Sequence, residues 1–155
     1  MPAETLQSAL EREHRGIDRG IEAFAARPDD GAATPVIDAM RALRRHIYLE
    51  EAFLLPPLRA AGAAMPVLVM LREHGELWRT MDYLSALLGQ GADSRRLGEA
   101  CDEFLQQLDR HNTKEEPIIY PLADTALTAE ARTELTRFLA TGQTPDGWTC
   151  QHGRP

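Results

Sequence analysis

The chain has 155 residues, a formal charge of −7 and two cysteines, Cys101 and Cys150, in no spacing pattern. That length suits one domain with a full core, so neither disulfides nor a metal is needed merely to fold. The acidic balance excludes a surface built for nucleic acid or an anionic membrane, which need a basic patch, and the cysteine usage excludes a secreted disulfide scaffold.

Apolar residues recur at three- and four-residue intervals nearly throughout, which predicts an all-α chain. Helix one is expected from about Ala3 to Ala26, with the stripe Leu6, Leu10, His14, Ile17, Ile21, Phe24, and the stretch ARPDDGAATP ends it. Its start, MPAETLQSALERE, lacks the basic-then-apolar order of a signal peptide. Helix two opens with Thr34 as cap and Pro35 as first helical residue and runs toward Pro56 and Pro57. One line along it reads Ala39, Leu43, His46, Glu50, Phe53. The most apolar run, Ala60 to Leu71, is too short to span a bilayer and contains Gly62 and Pro66. Helix three is expected from near Pro66 to Gly89, with the stripe Val67, Met70, His74, Trp78, Met81, Leu84. Helix four, capped by Asp93 or Ser94, runs to about Glu116, where Pro117 intervenes; its stripe is Leu97, Cys101, Phe104, Leu108, His111, Glu115. A short fifth helix, capped by Thr128, reaches Ala140. Four long helices with short connections predict an up-down-up-down four-helix bundle over residues 1–142, with a short C-terminal fifth helix. The turn-rich residues 143–155 are expected as a flexible tail.

Each long helix thus carries one histidine on the face meant for the core. Two of these helices repeat one phrase: HIYLEEAFLLP from His46 and HNTKEEPIIYP from His111. In each, a glutamate four residues after the histidine (Glu50, Glu115) shares its face. The repeat extends to Glu13-His14 and Glu73-His74. One histidine on an apolar stripe is ordinarily a hydrogen-bonded core residue. Four of them, with two carboxylates that are costly to bury, require another account. A multivalent cation between the carboxylates supplies it. Only His152 falls outside the pattern.

His14, His46 with Glu50, His74, and His111 with Glu115 resemble the hemerythrin-like, or HHE cation-binding, domain over roughly residues 4 to 125. The resemblance implies a four-helix bundle around a non-haem centre of two iron ions, with an oxo or hydroxo bridge. His14 and His46 would ligate one iron, His74 and His111 the other, and Glu50 and Glu115 would bridge them. Imidazole and carboxylate donors suit iron, and six-coordinate iron would keep an open position for a small diatomic or peroxide. The oxygen carriers of the family use a fifth histidine one turn after the third-helix histidine. Here that position is Trp78. The indole is expected to point toward the second iron and wall it off, with Glu73, Glu51, a water or an inward tyrosine (Tyr48, Tyr83, Tyr120) as substitute ligand. Glu51 and Glu116, about 100° round the helix from Glu50 and Glu115, are otherwise expected to orient histidine N–H donors or to meet solvent.

Other motifs are weaker. His111-Asn-Thr-Lys114 faintly resembles a histidine phosphotransfer helix, which needs an exposed histidine. Cys101 reads as a small core residue, and Cys150 and His152 as parts of the tail. The expected function is binding of O2, NO or peroxide in sensing, stress defence or iron handling. The alternative is an enzyme that consumes peroxide or NO. No nucleic-acid or membrane partner is expected, any protein partner is left open, and the expected location is the cytoplasm.

Overall fold

The computed structural model describes residues 4–29 and 32–153. Thr5 caps α1 (Leu6–Ala26), its Oγ1 accepting from the Ser8 N–H at 3.0 Å. The expected start at Ala3 lies outside the described residues. In α2 (Thr34–Leu49), Thr34 is the first helical residue rather than the cap, so Pro35 sits in the first turn, where its missing N–H costs nothing. A π-helical turn (Glu50–Leu54) follows without a break, then α3 (Leu55–Ala60). Next come α4 (Ala64–Gly89) and α5 (Ser94–Lys114), the latter capped by Asp93, whose Oδ1 accepts from the Arg96 N–H at 2.9 Å. A second π turn (Glu115–Ile119) leads into α6 (Tyr120–Ala126), and α7 (Ala129–Thr141) starts at its Thr128 cap.

The prolines therefore do not end helices two and four. Each π turn closes on a bond five residues back, from the Leu55 N–H to the Glu50 carbonyl and from the Tyr120 N–H to the Glu115 carbonyl. Pro56, Pro57 and Pro121 then fall in the first turn of the resumed helix, where no intrahelical donor is required. Pro117, expected to end helix four, lies within the second π turn itself, and Pro56, Pro57 and Pro121 follow a widened turn, so the helix passes through its prolines.

Helices α1, α2, α4 and α5 pack each against the next and close the ring from α5 back to α1, giving the expected four-helix bundle. The short α3 and α6 pack together, and α7 lies across α2 and the first π turn. The apolar core forms two clusters. One includes Ile17, Leu43, Leu77 and Leu108; the other includes Leu10, Leu49, Leu71 and Ile119. Along every helix of the ring the histidine lies between a residue of one cluster and a residue of the other. The four histidines therefore share one polar layer clamped between two dry ones. No helix among the described residues is long and apolar enough to cross a membrane.

Residues 143–153 depart from the expected tail. They lie against the bundle: Trp148 meets Trp78 and Tyr48 edge to face at 5.6 and 5.0 Å, and Cys150 is only 2% exposed. Two aromatic contacts and a buried thiol hold a segment whose composition reads as a loop.

Candidate metal centre

The polar layer converges on two groups of donors. His14, His46, Glu50 and Glu115 form one; Glu50, His74, His111 and Glu115 form the other. All six residues are buried, and within each group the donor atoms lie within 4.8 Å of one another. The two glutamates belong to both groups because each divides its oxygens. Glu50 Oε2 is 3.3 Å from His46 Nε2, while its Oε1 is 3.1 Å from His74 Nε2. Glu115 Oε1 is 3.0 Å from His14 Nε2, while its Oε2 is 3.2 Å from His111 Nε2. Donors at right angles around an ion with bonds of about 2.1 Å stand about 3 Å apart, so these spacings suit a shared cation. Glu115 Oε2 is buried with no well-directed hydrogen bond, its closest contact being His111 Nε2, a costly arrangement that a cation would relieve. The residues fit a pair of metal ions.

Each imidazole turns its Nε2 inward because its Nδ1 is held from behind. Glu116 holds His14 at 2.7 Å; Glu13 holds His46, Glu51 holds His74 and Glu73 holds His111, all at 2.8 Å. A carboxylate on Nδ1 fixes the ring and leaves Nε2 as the donor to a metal. The four carboxylates are the remaining members of the Glu-Glu and Glu-His pairs. Glu51 and Glu73, considered above as substitute ligands, are engaged in this outer role. The signal that finds it is the pair itself: the second acid lies about 100° round the helix from the first and reaches a neighbouring helix's histidine.

Burial alone would depress His46, His74 and His111, but the carboxylates around them outweigh it. The Glu50 charge, with bonds to Glu115, Glu13 and Glu50, holds His46 well above the ordinary histidine range. Bonds to Glu115, Glu50 and Glu51 do the same for His74. The Glu115 charge and the bonds to Glu115 and Glu73 lift His111 to about 9. Burial would raise Glu115, yet the His111 charge and bonds to His111, His14 and His46 hold it well below the carboxylate range. Without metal the layer is a charge-compensated network in which protons take the place of cations. These histidines are buried, which removes the exposure a phosphotransfer histidine needs.

Tyr120 is the one tyrosine that turns inward, and it enters the first group, not the second. Its Oη lies 2.8 Å from both Glu50 Oε2 and Glu115 Oε1, 2.9 Å from His14 Nε2 and 3.1 Å from His46 Nε2. Burial, then the Glu115 and Glu50 charges, pushes the phenol well above its ordinary pKa, so it keeps its proton in this network. The matching position in the first phrase is Leu55. Trp78 does not take the expected place either. Its ring packs on Trp148 and Gly153, with the Arg44 guanidinium over its face at 5.3 Å. A cavity of about 210 Å³ reaches His111 between α4 and α5, with Glu73, Gln107, Arg110 and Lys114 in its wall. Cys101 is buried and its thiol is pushed up to about 11, first by burial and then by Asp102, which makes it a core residue.

The model of one protein family, the hemerythrin HHE cation-binding domain, matches residues 5–123. No curated protein and no solved structure matches the chain.

Proposed function

The chain belongs to the hemerythrin HHE cation-binding domain family, and we propose that its two donor groups hold a pair of iron ions that bind a small molecule: O2, NO or peroxide. The observation that carries this reading is the division of oxygens: Glu50 and Glu115 each offer one oxygen to each group. His14 and His46 would hold one ion and His74 and His111 the other, with both carboxylates between them. Imidazole and carboxylate donors without thiolate favour iron over structural zinc. Bound iron would supply a position open to exchange and one-electron redox chemistry. The chain's own part is to hold four imidazoles by their Nδ1 atoms and to exclude bulk water with two apolar layers. Such a centre suits sensing, stress defence or iron handling.

A second reading is favoured by Tyr120. A phenol that keeps a proton 2.8 Å from two carboxylates is placed to deliver it to a reacting ligand. That suits an enzyme that consumes peroxide or NO.

Anaerobic loading with ferrous iron, desalting and element analysis test the metal. Two irons per chain are expected; one zinc, or no retained metal, overturns the reading. Absorption spectra of the loaded protein, with and without NO and peroxide, then separate the two. A persistent adduct marks a binder, and turnover of added peroxide or NO marks an enzyme.

A further inference from the structure

Each of the four carboxylates behind the histidines has a second oxygen. For three of them that oxygen is also held. Glu13 Oε2 accepts from Arg45 Nη1 at 3.2 Å, and Glu73 Oε2 accepts from Lys114. Both donors are charged side chains of the bundle. Glu51 is different: its Oε1 accepts from the backbone N–H of Gln151 at 2.9 Å, 100 residues along the chain. The segment after α7 thus does for Glu51 what Arg45 and Lys114 do for Glu13 and Glu73.

That segment is docked at several points. Arg45 donates to the carbonyls of Gly142, Leu139 and Phe138 while it holds Glu13, so the root of the segment is tied to the carboxylate behind His46. Trp148 packs on Trp78. The Gly153 N–H closes a turn onto the Cys150 carbonyl at 3.0 Å, and Arg79 donates to the His152 carbonyl at 2.9 Å. That carbonyl lies over Gly75, the residue after His74, so closely that a Cβ there would collide with it. The segment lies wholly beyond residues 5–123, the span of the family match.

We propose that residues 142–153 form a strap that completes the centre, its Gln151 N–H positioning Glu51 and, through it, the His74 imidazole. The strap thereby sets the metal affinity of the His74–His111 group. The inference rests on the reading of the two groups as metal sites. Gln151 and its turn are a positioning element, since the strap supplies no donor to either group. Loss of the carboxylate behind a ligating histidine typically weakens a metal site about 10- to 100-fold, so loss of the strap, one bond further out, should stay at or below the lower end of that range.

The test is a stepwise anaerobic titration of the full chain with ferrous iron. Gln151→Pro is the first variant. Position 151 is the second residue of the Cys150–Gly153 turn, where proline is favoured, so the change removes the N–H and keeps the turn. Gln151→Ala, which keeps the N–H, is the control. Gly75→Ala is the second variant, lifting the His152 carbonyl without touching a donor. The expected result is two ions for the native chain and Gln151→Ala. Gln151→Pro and Gly75→Ala should take up the first ion as the native chain does and the second more weakly, by about 3- to 10-fold, below the loss of about 10- to 100-fold typical of removing the carboxylate itself. The Nδ1 proton of His74, read by NMR in the metal-free chain, should shift in both variants while that of His46 stays. Native uptake of both ions by both variants overturns the strap, as does weakening by Gln151→Ala equal to that by Gln151→Pro. A native chain that retains no metal overturns the reading beneath it instead, and the NMR arm still decides whether the strap positions His74.

Discussion

The two donor groups are written with the same phrase and finished differently. Each has two histidines and one oxygen from each of Glu50 and Glu115. The first is closed by the Tyr120 phenol and by Arg45 behind Glu13. The second has leucine at the position matching Tyr120, a backbone donor behind Glu51, and a cavity beside His111. The repeated residues bring the donors together, and the unrepeated ones decide how each group meets solvent and protons. On this reading the first group is the proton-holding one, and the second leans on a donor from outside the bundle.

The largest effect should come from what the groups share. Glu115→Ala removes an oxygen from both at once, so element analysis should find both irons lost. In the metal-free chain, breaking the buried pair with His111 should cost about 3–5 kcal/mol, read by denaturant unfolding. If one ion survives at native affinity, the carboxylate is not shared and the comparison collapses.

Tyr120→Phe should divide the groups. It leaves the His74–His111 group intact and removes the phenol from the other. The metal-free chain should lose about 1–3 kcal/mol, because two carboxylates lose a buried donor. The second ion's affinity should not change. Equal weakening of both ions would show that the phenol supports the whole layer.

A pH series treats the groups alike. In the metal-free chain His111 is raised to about 9, and His46 and His74 also lie above the ordinary value. A raised histidine contributes stability fully below its unfolded pKa of about 6.5 and loses it as pH rises through the folded value. The thermal midpoint of the metal-free chain should therefore fall between about pH 6.5 and 9. Iron binding displaces those protons, so affinity should climb over the same range. A midpoint that rises with pH would mean the histidines are neutral and the charge compensation described above is wrong.

His152→Ala should do least. The strap uses this residue's carbonyl, and its ring belongs to neither group. Iron uptake should stay within about twofold of native, well short of the loss of about 10- to 100-fold expected when an outer carboxylate is removed. Loss of metal as severe as in Glu115→Ala would make the ring a ligand.

Much of this layer was legible in the sequence. The stripes placed His14, His46, His74 and His111 on inward faces, because a period of 3.6 fixes which residues share a face whatever they pack against. The starts at Asp93 and Thr128 followed from local capping chemistry. The prolines misled, since a helix continues through them where they fall in or just after a π turn, as Pro117 and Pro121 do, and no local pattern marks such a turn. Tyr120 was one of three candidate tyrosines, and only the widened turn aims it at His14. Trp78 was assigned to the centre from its register alone. A partner 70 residues away, Trp148, holds the ring instead, and no local pattern announces such a contact. The strap was missed for the same reason.

The two π turns stand at one register of the repeated phrase. A π turn is a helix holding one residue too many, and it is rare because its bonds are poorer. Both turns open on the glutamate four residues after the histidine, in halves that otherwise differ at most positions. A residue added or removed before either turn would swing everything beyond it by about 100°. Each widened turn therefore sets the phase between a histidine-bearing helix and the short helix that opens on Leu55 or Tyr120.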